Sequence, residues 1–268
     1  MASADRDKWF RSPAWDAQIA AAFEQRLRRA RRYNRAQYIR IQATHLLSSP
    51  DPQVRQAGRG LLRRLVTSFP DDFNAKMAME QLGGSLAGEG RLAEAERALR
   101  ETLRMCVQSP AGRSGTSGVA ELRLAEVILA GGDARRAGEA AGLLEAVRPQ
   151  VGEQRLFRDV VFRFLLASAR AARLRSDPAA PELARAALAV AAETAPALPR
   201  HPDAGRPEAT DAEIAELEQL TRPPARQGPP WAVIRGRAEP AAVQRIPGGR
   251  AIGRLFECFR WPERVTEV

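Results

Sequence analysis

Three stretches of this 268-residue chain repeat one spacing of small, large and glycine positions, with a period of about 34 residues. The clearest copy spans residues 75–108, and a glycine at its centre divides two stretches of recurring apolar residues. Its repeated positions are Met79, Leu82, Gly83 and Leu86, then Gly90, Ala95, Leu99, Thr102 and Leu103. Glycine suits a turn that ends one helix before another begins. The pattern therefore predicts two antiparallel helices in each copy.

Further copies keep the same register less completely. Residues 118–151 match at Leu124, Ala125, Ile128, Gly132, Ala137, Ala141, Leu144 and Pro149; residues 165–198 match at Ala171, Ala172, Ala184, Leu188, Ala191 and Pro196; and residues 38–71 match at Ile41, Ala57 and Leu61. A single pair of helices cannot bury its apolar face alone, and about three pairs form a continuous core. Four predicted pairs are therefore enough for a stable stack.

The repeated positions resemble the tetratricopeptide repeat over about residues 38–198. The resemblance implies an all-α fold, a right-handed α-solenoid of helical hairpins in which Gly83 and Ala95 let two helices approach closely. Met79 and Leu86 stand where tryptophan and tyrosine are usual in that family. An irregular all-α bundle of generic hairpins is the alternative fold.

The same resemblance implies a function in protein binding. In that family, the first helices of the pairs form a groove that holds an extended peptide or a partner helix. We accordingly expect a non-catalytic scaffold or adaptor with a protein or peptide partner and with no cofactor. The candidate groove residues, chosen as polar residues on or near the first helices, are Arg40, Thr44, Glu80, Gln81, Arg123 and Arg163.

The composition fits a folded chain without a membrane helix. Hydrophobic residues make up 44% of the sequence, and no stretch approaches the roughly 18 uncharged apolar residues of a membrane-spanning helix. Residues 1–8 are polar and charged and lack an apolar signal-peptide region, so we expect a cytoplasmic protein. Arginine outnumbers lysine by 40 to two, a skew typical of GC-rich bacterial genomes.

Basic charge is concentrated near the N-terminus. Residues 1–50 carry ten basic and four acidic side chains, and no acid lies between Glu24 and Asp51. Clustered guanidinium groups attract phosphate and release counterions, so the alternative function is a nucleic-acid-associated protein that uses this basic helix. The other interpretation is a solvated helix surface, because Tyr33 and Tyr38 are the only nearby aromatics for base stacking. The candidate anion-binding residues are Arg28, Arg29, Arg32 and Arg35.

Residues suited to catalysis or metal binding are few. His45 and His201 are the only histidines, and neither stands beside a nucleophile or metal ligand in the sequence. Cys106 and Cys258 lack metal or redox spacing, so we expect free thiols. Segment 109–118 matches neither the phosphate-loop nor the nucleophile-elbow pattern and is interpreted as a mobile loop. We expect no catalytic or metal site, and an active site in the C-terminal region is a further hypothesis.

The patterns divide the chain into four segments, which are an N-terminal aromatic cap with an arginine-rich helix (1–37), the tetratricopeptide-like helical repeats (38–198), a proline-rich linker with a short acidic helix (199–230) and a C-terminal segment (231–268). The arginine-rich helix is predicted from about Pro13 to Tyr33, with Ser12 as its N-cap. The C-terminal segment is predicted to carry an amphipathic helix that either caps the stack or docks on a partner.

Overall fold

The computed structural model describes residues 8–153, 157–194 and 204–222. Within these ranges the chain is all-α, as predicted, and contains no strand. Two short 3-10 helices, Lys8–Phe10 and Ala134–Arg136, accompany ten α-helices, which are α1 (Ala17–Arg29), α2 (Arg32–Leu47), α3 (Pro52–Ser68), α4 (Phe73–Gly88), α5 (Leu92–Gln108), α6 (Ala120–Ala130), α7 (Ala137–Glu153), α8 (Arg158–Leu174), α9 (Ala180–Ala191) and α10 (Asp211–Leu220). The described residues all belong to one compact unit of the chain. The predicted C-terminal amphipathic helix lies outside the described residues.

Neighbouring helices pack in pairs along the chain. The four pairs are α2 with α3, α4 with α5, α6 with α7, and α8 with α9, and the second helix of each pair contacts the first helix of the next. First helices also contact one another, α2 with α4, α4 with α6, and α6 with α8. The pair predicted over 75–108 is present as α4 and α5, whereas α8 begins seven residues before the predicted start at 165.

Helices α4 and α5 approach each other closely at Gly83. A Cβ placed there would lie 2.7 Å from Leu99 Cγ and 3.4 Å from the carbonyl oxygen of Ala95. Both Ala95 and Leu99 are fully buried. Because Gly83 has no side chain, α4 and α5 can make this close contact. Between these helices, Gly90 adopts φ +72°, a left-handed conformation that suits glycine.

The N-terminal helix differs from its prediction. α1 begins after Asp16, whose carboxylate accepts a 2.7 Å hydrogen bond from the Ile19 N–H, so Asp16 rather than Ser12 is the cap. It ends at Arg29, and the exposed Tyr33 belongs to α2. Ser12 is engaged elsewhere, since its N–H and C=O bond the side-chain amide of the buried Gln42.

Aromatic side chains cover the N-terminal end of the helix stack. The ring of Trp9 lies 5.5 Å from that of Phe23 and 5.1 Å from that of Tyr38. Phe10 stacks on Tyr38 at 4.5 Å, and Trp15 meets Phe23 edge-on at 5.5 Å. Phe10 and Phe23 are buried within this cluster, which joins α1 to the first helix pair.

The acidic helix predicted after Thr210 is α10, which packs on α9 and α8. Its first turn forms a capping box, in which the Thr210 hydroxyl accepts from the Glu213 N–H and the Glu213 carboxylate accepts from the Thr210 N–H. Leu217 is its one buried residue. Glu213 therefore serves the start of this helix, as its position in the sequence indicates.

Segment 109–118, predicted to be a mobile loop, is bound to α4. The Lys76 ammonium donates to the Ser109 hydroxyl and to the Gly112 carbonyl, at 3.2 and 2.7 Å. The Glu80 carboxylate accepts from the Ser117 N–H at 2.8 Å and from its hydroxyl. Lys76 and Glu80 are both buried, so this loop supplies the polar partners that two buried charges of α4 require.

Candidate functional site

The successive first helices α2, α4, α6 and α8 form one face, here called the first-helix face. The first helices carry all six predicted groove residues, with Arg40 and Thr44 on α2, Glu80 and Gln81 on α4, Arg123 on α6 and Arg163 on α8. Two clefts open on this face, one beside α2 and α4 and one beside α6 and α8. Arg123 lines both of them.

The first cleft is lined by Thr44, Gln81, Arg123 and residues around the end of α4. The Gln81 amide nitrogen donates to the Thr44 hydroxyl at 3.3 Å. The Gln81 amide oxygen is buried and has no hydrogen-bond partner among the described residues. Two side chains predicted for the groove therefore meet here, and they leave one acceptor unsatisfied.

A charged cluster that the sequence did not predict forms one wall of this cleft. The Arg59 guanidinium donates to the Glu89 carboxylate at 2.6 Å and Arg55 donates to the same oxygen at 3.3 Å. The hydrogen bond from Arg59, with a further one from Arg55, holds the pKa of Glu89 below its ordinary value. The Arg59 side chain is only 4% exposed. Because about one repeat separates Arg59 from Glu89, no local motif indicates this pairing.

The second cleft is lined by Arg123 and Glu126 of α6 and by Asp159 and Arg163 of α8. Arg163 forms an ion pair with Glu213 of α10, and its Nε lies 3.7 Å from the Glu126 carboxylate. Burial raises the pKa of Glu126, and the nearby charges of Arg163 and Arg123 oppose this shift. Its ion pair with Arg163 is long, so Glu126 is only weakly compensated.

Asp159 adds a second weakly compensated acid to this cleft. Its Oδ1 is buried and has no hydrogen-bond partner among the described residues, although its backbone N–H donates to the Gly205 carbonyl at 3.1 Å. Asp159 lies in the first turn of α8, where a negative charge interacts favourably with the helix dipole. Arg123 and Arg163 are already paired with Glu80 and Glu213, whereas the Asp159 carboxylate keeps an acceptor without a partner in the described ranges.

Two of the predicted groove residues serve internal contacts instead. Glu80 is 2% exposed and holds the Ser117 backbone and the Arg123 guanidinium, the latter at 3.2 Å. Arg40 is half-buried, and its Nε donates to the Asn74 side chain at 2.8 Å. Partial burial lowers the pKa of Arg40. Thr44, Gln81, Arg123 and Arg163 line the clefts, whereas Glu80 and Arg40 support the helices behind them.

The predicted anion-binding residues lie around the junction of α1 and α2. Arg28, Arg29 and Arg32 are exposed. Arg35 is half-buried, because its guanidinium donates to the carbonyls of Ala30 and Arg28 at 3.0 and 2.8 Å. These carbonyls belong to the C-terminal end of α1 and have no partner within that helix. Arg35 therefore holds the bend between the two helices, and only the other three arginines face solvent.

Other reactive groups are structural in this part of the chain. Cys106 is a free, buried cysteine, and burial raises the pKa of its thiol. Across the described ranges, no group of three or more His, Cys, Asp or Glu side chains is arranged to hold a metal ion. No described helix is long and apolar enough to cross a bilayer.

Comparisons of this chain with protein-family models, curated proteins and solved structures found no match.

Proposed function

We propose that this chain is a non-catalytic interaction scaffold of the bacterial cytoplasm and that it binds an extended peptide or a partner helix on the first-helix face. The proposal includes a right-handed, tetratricopeptide-like arrangement of the four helix pairs. It is supported by the direct contacts between successive first helices, which make one continuous surface from four separate hairpins.

The observation that carries the proposal is the unmet hydrogen-bonding capacity of this face. The Gln81 Oε1 and the Asp159 Oδ1 are both acceptors, they border different clefts, and neither has a partner in the described part of the chain. A buried acceptor without a partner costs about 1–3 kcal/mol. A ligand that presents N–H groups would recover this cost once a side-chain rotation brings each oxygen to the cleft surface, and a polypeptide presents such groups at regular intervals along its backbone.

Affinity purification of the tagged chain from its own cell extract, with and without nuclease, tests this function. The wild type is compared with a double variant, Gln81→Leu with Arg123→Ala, and with Arg97→Ala, which removes an exposed arginine of α5. We expect a protein partner that survives nuclease, is lost from the double variant and is retained by Arg97→Ala. Circular dichroism of each variant reports whether the helices remain folded.

Loss of every protein partner after nuclease treatment would contradict the scaffold proposal, as would equal capture by the wild type and the double variant. Equal capture by the two proteins would indicate that the partner binds another surface of the chain.

A further inference from the structure

The corner where α1 ends and α2 begins presents a group of arginines without carboxylate partners. Arg26, Arg28, Arg29, Arg31 and Arg32 are all exposed, and we call these five residues the arginine corner. The nearest acid in the sequence, Glu24, is paired with Arg64 of α3. No ion pair joins any of the five to a carboxylate within the described ranges. The corner therefore carries five uncompensated positive charges within seven consecutive residues.

Many surface arginines elsewhere in the described chain are paired with acids. Examples are Arg91 with Glu94, Arg104 with Glu101, Arg136 with Glu139 and Arg148 with Glu145. Other exposed arginines, such as Arg63, Arg97 and Arg185, also form no ion pair within the described ranges, but they lie on different helices, whereas the corner groups five within seven residues. Concentrating them at one corner adds repulsion between like charges, and an anionic partner would remove that repulsion.

The corner has a fixed shape before any partner binds. Arg35 donates to the carbonyls of both Ala30 and Arg28, and the Ala30 N–H donates back to the Arg26 carbonyl at 3.0 Å. These hydrogen bonds hold the bend between the helices. Because the backbone that presents the guanidinium groups is already ordered, binding needs less loss of conformational entropy.

An exposed aromatic ring stands among these charges. Tyr33 is 66% exposed, and its hydroxyl accepts a 2.8 Å hydrogen bond from Arg31. Aromatic rings beside a basic surface stack on the unpaired bases of single strands. An amphipathic membrane-binding helix instead requires a broad apolar face beside its basic residues, and Tyr33 is the only exposed large apolar side chain of the described corner.

We propose that the arginine corner binds the phosphodiester backbone of a single-stranded nucleic acid, with Tyr33 stacking on one of its bases. This function is separate from protein binding on the first-helix face, because none of the corner residues lines either cleft.

The full chain is titrated into fluorescein-labelled single strands of RNA and of DNA, each about 15 nucleotides long, while fluorescence anisotropy is recorded at several salt concentrations. We expect binding that weakens steeply with salt. Three phosphate contacts would give a slope of about −2 in log affinity against log salt, since each contact on a single strand contributes about −0.7.

The triple variant Arg28→Glu, Arg29→Glu, Arg32→Glu is expected to lose at least about tenfold in affinity, because each reversed charge now repels a phosphate. Its matched control, Arg97→Glu, Arg173→Glu, Arg175→Glu, changes the net charge equally at exposed positions away from the corner and should bind nearly as the wild type does. Tyr33→Ala should weaken binding by about fivefold to 150-fold, the effect of losing one stacked base.

Three results would overturn the proposal. The first is no binding of either oligonucleotide at about 50 mM salt. The second is an equal loss in the corner variant and its control, which would indicate attraction by net charge alone. The third is binding to vesicles of anionic lipid without binding to the oligonucleotides, which would replace the nucleic acid with a membrane surface. Binding of a duplex as tight as that of the single strand would contradict the role of Tyr33.

Discussion

Gly83 is the residue where the packing of a whole helix pair depends on a missing side chain. Replacing it with alanine puts a Cβ within 2.7 Å of Leu99 Cγ, so α4 and α5 must separate or Leu99 must change rotamer. Overpacking of this kind costs about 1–3 kcal/mol, and the higher helix propensity of alanine recovers up to about 1 kcal/mol. We expect Gly83→Ala to lower the free energy of unfolding measured by urea titration.

Gly60 provides the matched control, because it also lies within a helix, α3, and an added Cβ would meet no atom within 4 Å. Gly60→Ala should raise the free energy of unfolding by about 0.5–1 kcal/mol. If both substitutions stabilise the protein alike, the close helix contact at Gly83 does not limit packing.

Glu96 links two helix pairs, and its ionisation makes the free energy of unfolding depend on pH. Arg136 of the next pair donates to its carboxylate at 2.7 and 2.9 Å, and Arg100 donates at 2.8 Å. These hydrogen bonds, Arg136 first, lower the pKa of Glu96 from 4.5 to about 2 against the opposing effect of burial. Because the pKa is lower in the folded chain, the stabilisation is complete above about pH 4.5 and is lost as the pH falls towards 2.

Between pH 6 and pH 3 the free energy of unfolding of the wild type should fall more than that of Glu96→Gln. The difference between the two falls should be about 1 kcal/mol, the size expected for a partly exposed ion pair. Urea titrations at the two pH values measure this difference directly. Identical pH dependence in the two proteins would mean that the pairing of Glu96 adds no stability.

At the scale of the element, α10 is held mainly by one fully buried leucine and two ion pairs. Leu217 is fully buried, Arg163 pairs with Glu213, and Arg170 binds Glu216 with hydrogen bonds of 2.6 and 2.8 Å. Truncating a buried leucine costs about 2–5 kcal/mol. We expect Leu217→Ala to speed hydrogen exchange throughout 211–220.

The half-buried Leu220 of the same helix supplies the control, and Leu220→Ala should change exchange much less. Unchanged exchange in Leu217→Ala would show that the ion pairs alone hold α10.

The sequence predicted helices more reliably than it predicted their ends. The arginine-rich helix predicted from about Pro13 to Tyr33 is present as α1, with Phe23 and Leu27 buried. The break at Ala30 was missed, because it depends on Arg35 reaching back to the carbonyls at the end of α1. Pro149 lies inside α7, which continues through it to Glu153. Val147 and Val151 are buried on either side, and their packing outweighs the lost hydrogen bond.

The candidate site was predictable in its location and less so in its chemistry. Periodicity placed Thr44, Gln81, Arg123 and Arg163 on first helices, and all four line clefts there. Periodicity could not show which polar side chains satisfy each other. Glu80 was wrongly predicted to line the groove. Its partner Ser117 lies in a loop that carries no repeat pattern, so periodicity could not indicate their contact.

At the scale of the whole molecule, each helix pair contacts mainly its neighbours. A stack of this kind transmits a local loss of packing over short distances only. Phe23→Ala removes the side chain that packs on both Trp9 and Trp15 and should cost about 3–5 kcal/mol. We expect faster hydrogen exchange over 8–47 and unchanged exchange in α8 and α9.

The matching variant at the other end of the stack is Leu166→Ala, which truncates a buried side chain of α8. It should speed exchange over 158–191 and leave α1 unchanged. Uniform acceleration along the described chain in either variant would indicate one cooperative unit instead of neighbour-limited packing.

Arg123 lies at the boundary between the two clefts, with its Nη1 close above Gly84 and its Nε on Glu80, the carboxylate that also binds Ser117. A single guanidinium cannot serve two ligands in full. A ligand that engages Arg123 from one cleft therefore alters what the neighbouring cleft offers, and it frees Glu80 to interact more fully with the loop behind. Linkage requires the effect to be mutual, so occupancy of either cleft changes the affinity of the other by the same factor.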